Sequence, residues 1–339
     1  MTHALDRRRF LGGAARLGLG VAAGGLSAPR MARATTATRL TIVSNPGLEN
    51  ATLNALMDEL SLFRRFGVDA AIVEAPGITG PFDAIAEGSA DVCLVSGYNL
   101  VLPRIEQGAP VRIIGAGMRK VALTVFAKTG PITTLADLEG RTVAVGPHLG
   151  LLHSMMLQLL KEKGFDASKV SFIDMGGNDQ CYDAVVRGEA DACCSSISHL
   201  NDSKGLVPLL DGNLWQGLPR CVFQTAYAST TAIARKHDGL VAAMAAYGAL
   251  YAYLMSPTAR DVFFAARRRA QKQFDLVSAQ AVWDFNQAQR PYSSDLSLTG
   301  PDIDYLQDMY VGLGSLKRKS PYAAVADMSA ARAAAKRLA

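Results

Sequence analysis

The chain has 339 residues, 49% of them hydrophobic and 19% charged, with 35 Lys and Arg against 30 Asp and Glu. That composition is globular, and the length suits two cores of about 100–150 residues each. No apolar run after residue 35 is long and uncharged enough to span a bilayer, which takes roughly 20 residues.

The first 34 residues are set apart. Arg7, Arg8 and Arg9 precede Phe10 and Leu11, a weakly apolar Gly- and Ala-rich stretch runs to Leu26, and a small-x-small site, Ala32-Arg33-Ala34, ends the segment. The pattern predicts a twin-arginine signal peptide over residues 1–34, cut after Ala34, with a disordered basic tail as the alternative. Arg16 interrupts the apolar stretch and argues against a stable anchor; no Cys near the cut points to a lipid. The segment holds six Arg and one Asp, so 29 basic and 29 acidic residues remain without it. A net charge of zero removes the electrostatic ground for nucleic-acid binding.

After this segment strand and helix alternate. Residues 39–45 alternate in polarity and break at Pro46-Gly47, as a strand does. Residues 50–67 place Leu53, Leu56, Met57, Leu60 and Phe63 at helical spacing, with Asn50 as N-cap and Gly67 as stop. Strands are expected at 68–75, 111–117 and 121–128. At residues 141–146 the same grammar restarts, with a helix at 151–164 and a strand at 170–176.

One unit occurs twice. Residues 82–96, FDAIAEGSADVCLVS, match residues 182–196, YDAVVRGEADACCSS, at seven of fifteen positions without a gap. Each copy reads as the end of a helix, a Gly stop and a buried strand. Each follows two earlier strands, which predicts two similar α/β lobes with sheets covered on both faces. The expected bounds are residues 38–127 plus 224–339 for lobe one and 128–223 for lobe two. Crossings near residues 126–128 and 221–225 would form a two-strand hinge. Residues 239–256 read as a long apolar helix, buried on lobe one or, as the alternative, spanning a membrane.

Ligands of parallel α/β sheets bind at the carboxyl ends of strands, where helix N-termini present free N–H groups. Six loops rich in Gly, Ser, Thr and Asn occupy those ends. In lobe one the candidate ligand-binding residues are Asn45 and Gly47, Thr79 and Gly80, and Ser96, Tyr98 and Asn99. In lobe two His148, Leu149 and Gly150 open a helix. Asn178 and Asp179 lie on the next loop, and Ser196 and His199 follow the repeat. Tyr98 and Tyr227 are candidates to stack on an apolar part of the ligand. Arg119 is the candidate fixed positive charge, a solvated arginine being its alternative.

Other chemistries lack their patterns. His148 and His153 are five apart with no Glu between, so the zinc spacing HExxH is absent. His199 and Asp202 echo part of a triad, but no G-x-S-x-G elbow occurs. Five Cys, with no CxxC, read as buried thiols; a bridge from Cys181 to Cys193 or Cys194 is left open.

Several stretches resemble the substrate-binding proteins of ABC importers. They are the strand at 88–96, TLADLEGRTVAV at 134–145, LKEKGFDASKVSFIDM at 160–175, and the tail at 312–334. The nearer likeness is to the binders of aliphatic sulfonates, taurine and nitrate and to the thiamine-pyrimidine synthase-like proteins. The resemblance spans nearly all of the chain after the leader. It implies a type II periplasmic-binding-protein-like fold: two α/β lobes closing on a solute. It implies a monomeric periplasmic receptor that hands an anionic or aromatic organic solute to an inner-membrane ABC permease, with no cofactor. Sulfonates, carboxylates, nitrate and pyrimidine-like rings are the expected solutes. GPHLG carries Pro147 and His148 where a hydroxyl is usual, a departure that puts a simple sulfonate or nitrate in doubt. An enzyme on the same fold is the alternative. However, the first lobe-one loop has no Lys or His for pyridoxal chemistry. A ligand-presenting sensor is the third reading.

Overall fold

The structure, a computed structural model, describes residues 38–75, 77 and 79–339, so the expected signal peptide lies outside the described residues. Ten strands follow one another: β1 (Thr38–Ser44), β2 (Val68–Glu74), β3 (Val92–Ser96), β4 (Val111–Ala116), β5 (Leu123–Lys128), β6 (Thr142–Val145), β7 (Ser171–Asp174), β8 (Ala192–Ser196), β9 (Leu206–Asn213) and β10 (Thr225–Ser229). The principal helices are α1 (Leu48–Glu59), α2 (Gly80–Ala86), α3 (Tyr98–Glu106), α4 (Leu151–Glu162), α5 (Asn178–Arg187), α6 (His237–Leu254), α7 (Arg260–Ala270), α8 (Leu276–Gln289), α9 (Gly300–Gly312) and α10 (Ser329–Leu338).

The strands form two five-stranded sheets on one plan, β2-β1-β3-β10-β4 and β7-β6-β8-β5-β9. Three strands of each sheet are parallel, and the fourth position is an antiparallel strand delivered from the other lobe. The crossing expected at residues 126–128 falls inside β5, whose residues pair with β8 and β9. The chain therefore leaves the first sheet over residues 117–122, earlier than expected. β10 pairs with β3 and β4, so the return crossing ends near Thr225.

The repeat has a physical reason. Asp91 Oδ2 accepts from Thr41 N at 2.8 Å, and Asp191 Oδ2 accepts from Thr142 N at 2.8 Å. Each aspartate thus ties the start of the repeat strand to the parallel strand beside it. Gly88 and Gly188 end the preceding helices at φ 82° and 80°, a left-handed turn that side chains resist. Each copy is a clasp between a helix end and two strands.

Two expectations change in detail. The helix expected over 50–67 is broken: α1 ends at Glu59, Ser61 takes φ 49°, and a second short helix covers Leu62–Arg65. Asn50 lies inside α1, and Gly47 holds the N-cap position. Helix α6 is buried along most of its length, with Leu240, Leu250 and Leu254 fully enclosed. Each such leucine stabilises the fold by about 1.5–3 kcal/mol relative to exposure. Among the described residues no single helix is long and apolar enough to cross a membrane. All five cysteines are free and buried, so Cys181 bridges neither Cys193 nor Cys194.

Candidate functional site

A cleft of about 640 Å³ opens where the strand ends of the two sheets face each other. Lobe one contributes the loop after β1 and the N-terminus of α1, through Gly47, Glu49 and Asn50. Gly47 has φ 119°, a backbone region open to glycine, and α1 starts directly after it. Lobe two contributes the N-terminus of α5 and the turn after β8, through Asn178, Asp179, Ser196 and His199. Ser195 Oγ donates to Asn178 O at 2.8 Å and fixes the α5 loop to β8. The crossing segments contribute Met118, Ala122, Phe223 and Gln224, and Leu123 follows at the start of β5.

The remaining wall comes from α7 and α8, through Arg267, Ser278, Val282, Phe285 and Asn286, with Tyr292 beyond them. Arg267 is 1% exposed; it donates to Glu49 Oε1 at 2.6 Å and to Ser278 Oγ at 3.3 Å. Asp275 caps α8 by accepting from Ser278 N at 3.0 Å. Phe285 meets Trp215 of lobe two edge-on, ring centres 5.2 Å apart, so α8 reaches across the cleft's side.

Buried polar atoms without partners collect here. Among the described residues ten such side-chain atoms occur, and six belong to residues lining this cleft. They are Asn178 Oδ1, His199 Nε2, Gln224 Oε1, Arg267 Nε and both amide atoms of Asn286. An unsatisfied buried polar group costs about 1–3 kcal/mol, so this concentration calls for a polar partner inside the cleft. Gln224 is held from behind: its carbonyl accepts from Tyr98 Oη at 3.2 Å and from Gly117 N at 2.9 Å.

His199 lies flat on Tyr182, centroids 4.1 Å apart and planes 11° from parallel. Its Nε2 is 3.2 Å from Asp179 Oδ1, a contact that lacks hydrogen-bond geometry, and its Nδ1 is 3.9 Å from Asp202 Oδ2. Contact with the His199 ring holds the Asp179 carboxyl below its ordinary value. Lys204 Nζ donates to Asp183 Oδ1 at 3.0 Å.

Five of the sixteen candidates line the cleft: Gly47, Asn178, Asp179, Ser196 and His199. The others lie elsewhere. Asn45 Nδ2 donates to Val95 O at 2.7 Å and ties the first loop to β3. Thr79 and Gly80 start α2, while Ser96 ends β3 and Asn99 lies in α3; none of the four lines the cleft. Tyr98 and Tyr227, expected as apolar walls, are 2% and 1% exposed inside lobe one, and Tyr227 packs on Phe82 at 5.7 Å. Arg119 is not a free charge: it donates to Ser297 O, and its guanidinium stands 3.4 Å from Asp295 and 3.7 Å from Asp302.

His148 borders a separate hollow of about 500 Å³ with His153 and Phe172. Leu149, at φ 56°, donates its N–H to His153 Nδ1 at 3.0 Å, and Gly150 caps α4. Burial lowers the His153 pKa. Among the described residues no group of three metal-ligating side chains is present.

No hydrogen bond joins His199 to a serine among the described residues. Burial pushes the Cys93 thiol up to about 11 and the Cys181 and Cys221 thiols up to about 12, so none of these sulfurs is a ready nucleophile.

Residues 56–257 match the model of the NMT1/THI5 like family. In fold the chain is similar to the periplasmic aliphatic sulphonate binding protein SsuA from Escherichia coli, at 15% identity and a TM-score of 0.72, over 85% of this chain and 92% of that one. It is similar to the periplasmic nitrate-binding protein NrtA from Synechocystis PCC 6803, at 11% identity and a TM-score of 0.66, over 89% of each chain. It is also similar to the desulfurization enzyme DSZB, at 14% identity and a TM-score of 0.61, over 89% of this chain and 99% of that one. No curated protein matches the chain in sequence. At these identities the likeness is one of fold, and the fold is the two-lobed periplasmic-binding-protein architecture that the sequence led us to expect.

Proposed function

The chain belongs to the NMT1/THI5 like family, and from that premise we propose that it is the solute receptor of an ABC importer. The observation that carries this reading is the gathering of unpaired buried polar atoms, Asn178 Oδ1, Gln224 Oε1, Arg267 Nε and the Asn286 amide, around one cleft. A volume of about 640 Å³ suits a small organic molecule. The orphaned amides would fix its polar groups, and Phe223, Phe285 and Tyr292 would enclose its apolar part.

Solute held between the lobes favours the closed arrangement in proportion to its differential affinity. The receptor would act as a monomer in the periplasm, exported by the twin-arginine route, and deliver its solute to a permease in the inner membrane. It would do so without a cofactor and without catalysis.

Solution scattering and thermal melting test the reading. Adding a bacterial metabolite extract to the chain without its leader should shrink the radius of gyration and raise Tm. No change in either quantity with the extract overturns the receptor reading.

A further inference from the structure

Charge in the cleft is lopsided. Five carboxylates, Glu49, Asp179, Asp183, Asp202 and Asp275, line it against two fixed cations, Arg267 and Lys204. Both cations already face carboxylates, although Arg267 Nε keeps an unpaired N–H. Arg267 is bound to Glu49 at 2.6 Å, and Lys204 is 3.0 Å from Asp183 and 3.9 Å from Asp202.

Four helices begin among the lining residues, α1, α4, α5 and α8. Glu49 and Asp179 stand in the first turns of α1 and α5 and Asp275 caps α8, while α4, which starts at Leu151, has no acid in its first turn. These carboxylates offset the partial positive charge that an oxyanion would use. Asp179 is open to the cleft mouth, its side chain 82% exposed.

A second observation points to a ligand independently of charge. Asn286 is 1% exposed, yet both its amide atoms lack partners, and it sits on the wall between Phe285 and Tyr292. Gln224 Oε1 and Asn178 Oδ1 are likewise unpaired acceptors. The unpaired acceptors Asn178 Oδ1, Gln224 Oε1 and Asn286 Oδ1 stand with the unpaired donors Asn286 Nδ2 and Arg267 Nε, and aromatic faces, which attract cations, lie beside them.

Taking the cleft to be the solute site, we infer that its solute carries a protonated nitrogen on an apolar body and has no net negative charge. Sulfonate, nitrate and simple carboxylates, expected from the sequence resemblance, meet a wall in which acids outnumber fixed cations five to two. An ammonium or amidinium group meets carboxylate and amide oxygens within the same space.

The test uses three pools of matched size on the chain without its leader. The cations are benzylamine and benzamidine, the neutral compounds benzamide and benzyl alcohol, and the anions benzoate and phenylmethanesulfonate. The cationic pool should raise Tm, and calorimetry should show affinity falling as salt rises. Asp179→Asn with Asp183→Asn should weaken that binding about tenfold, while Asp238→Asn, outside the cleft, leaves it unchanged. Melting of each ligand-free variant separates lost folding from lost binding, and the salt dependence of the unaltered chain decides should the double variant not fold.

A shift with the anionic pool overturns the charge assignment and leaves the receptor reading standing. A shift confined to the neutral pool, or none with any pool, also overturns it. The metabolite-extract experiment then judges the receptor reading by itself.

Discussion

Arg267 donates to Glu49 across 218 positions of sequence, at 2.6 Å, and so fastens α7 to the start of α1. The guanidinium is buried, and the carboxylate is about half exposed. The pair sets one wall of the cleft in place.

Glu49→Gln leaves a buried cation with Ser278 Oγ as its remaining side-chain partner. The expected cost is about 1–3 kcal/mol, less than a fully enclosed broken pair because Glu49 is partly solvated. Arg267→Met removes the charge together with its need for a partner and should cost less. Urea denaturation of both variants decides; an equal or larger loss in Arg267→Met means that the buried charge is not the cause.

Asp91 and Asp191 hold corresponding backbone groups, but only Asp91 also pairs with a lysine, Lys236 at 2.7 Å. Asp191→Ala should destabilise by about 1–3 kcal/mol. Asp91→Ala should cost more, since it strands Thr41 N and Lys236 together. Hydrogen exchange at the Thr41 and Thr142 amides reports each loss locally, and unchanged protection in the variants counts against the clasp.

At the turn before Leu135, backbone and side-chain hydrogen bonds from Thr133 and Thr134 hold the Asp137 carboxyl at about 2. The folded value is depressed, so the stabilisation is fully present above the ordinary carboxylate value near 4 and is lost as pH falls toward 2. Asp137→Asn should be less stable than the unaltered chain at neutral pH, and the gap should narrow below pH 4. A gap that stays constant down to pH 2.5 contradicts this account.

Gly47→Ala meets no neighbouring atom, yet φ 119° resists any side chain. The substitution should cost about 1–3 kcal/mol through backbone strain and should weaken solute binding, because the same loop lines the cleft. Calorimetry with a bound solute checks the second effect, and undiminished affinity speaks against a role for this loop.

Trp215 faces Phe285 across the lobes and Trp283 packs near Phe263 within lobe one. In a Trp283→Phe background, solute should change Trp215 emission as the lobes settle. A flat titration alongside measured binding means that the lobes do not move at this contact.

The repeat was readable because its aspartates and glycines do local work: Asp91 and Asp191 bind a nearby strand, and Gly88 and Gly188 supply a turn. β9 escaped the reading because Pro208 and Gly212 interrupt its pattern. The α7–α8 wall escaped as well, since sequence does not say which lobe a helix will lean on. A signal was present nonetheless. Arg267 follows Phe263 by four positions, and Asn286 follows Val282 by four, so each polar residue sits on an apolar helical stripe. Tyr98, just past the end of β3, and Tyr227, in the middle of β10, are enclosed within lobe one instead of lining the cleft, because burial of their rings in the core wins.

β10 lies between β3 and β4, and β4 has no other strand beside it. During synthesis the strands of lobe two, which end at Asn213, are all made before this filler strand. The inserted lobe therefore has all its strands while its host still waits, with two open strand edges, for residues 225–229. A released chain ending ahead of that segment would hold a complete sheet hanging from an incomplete one.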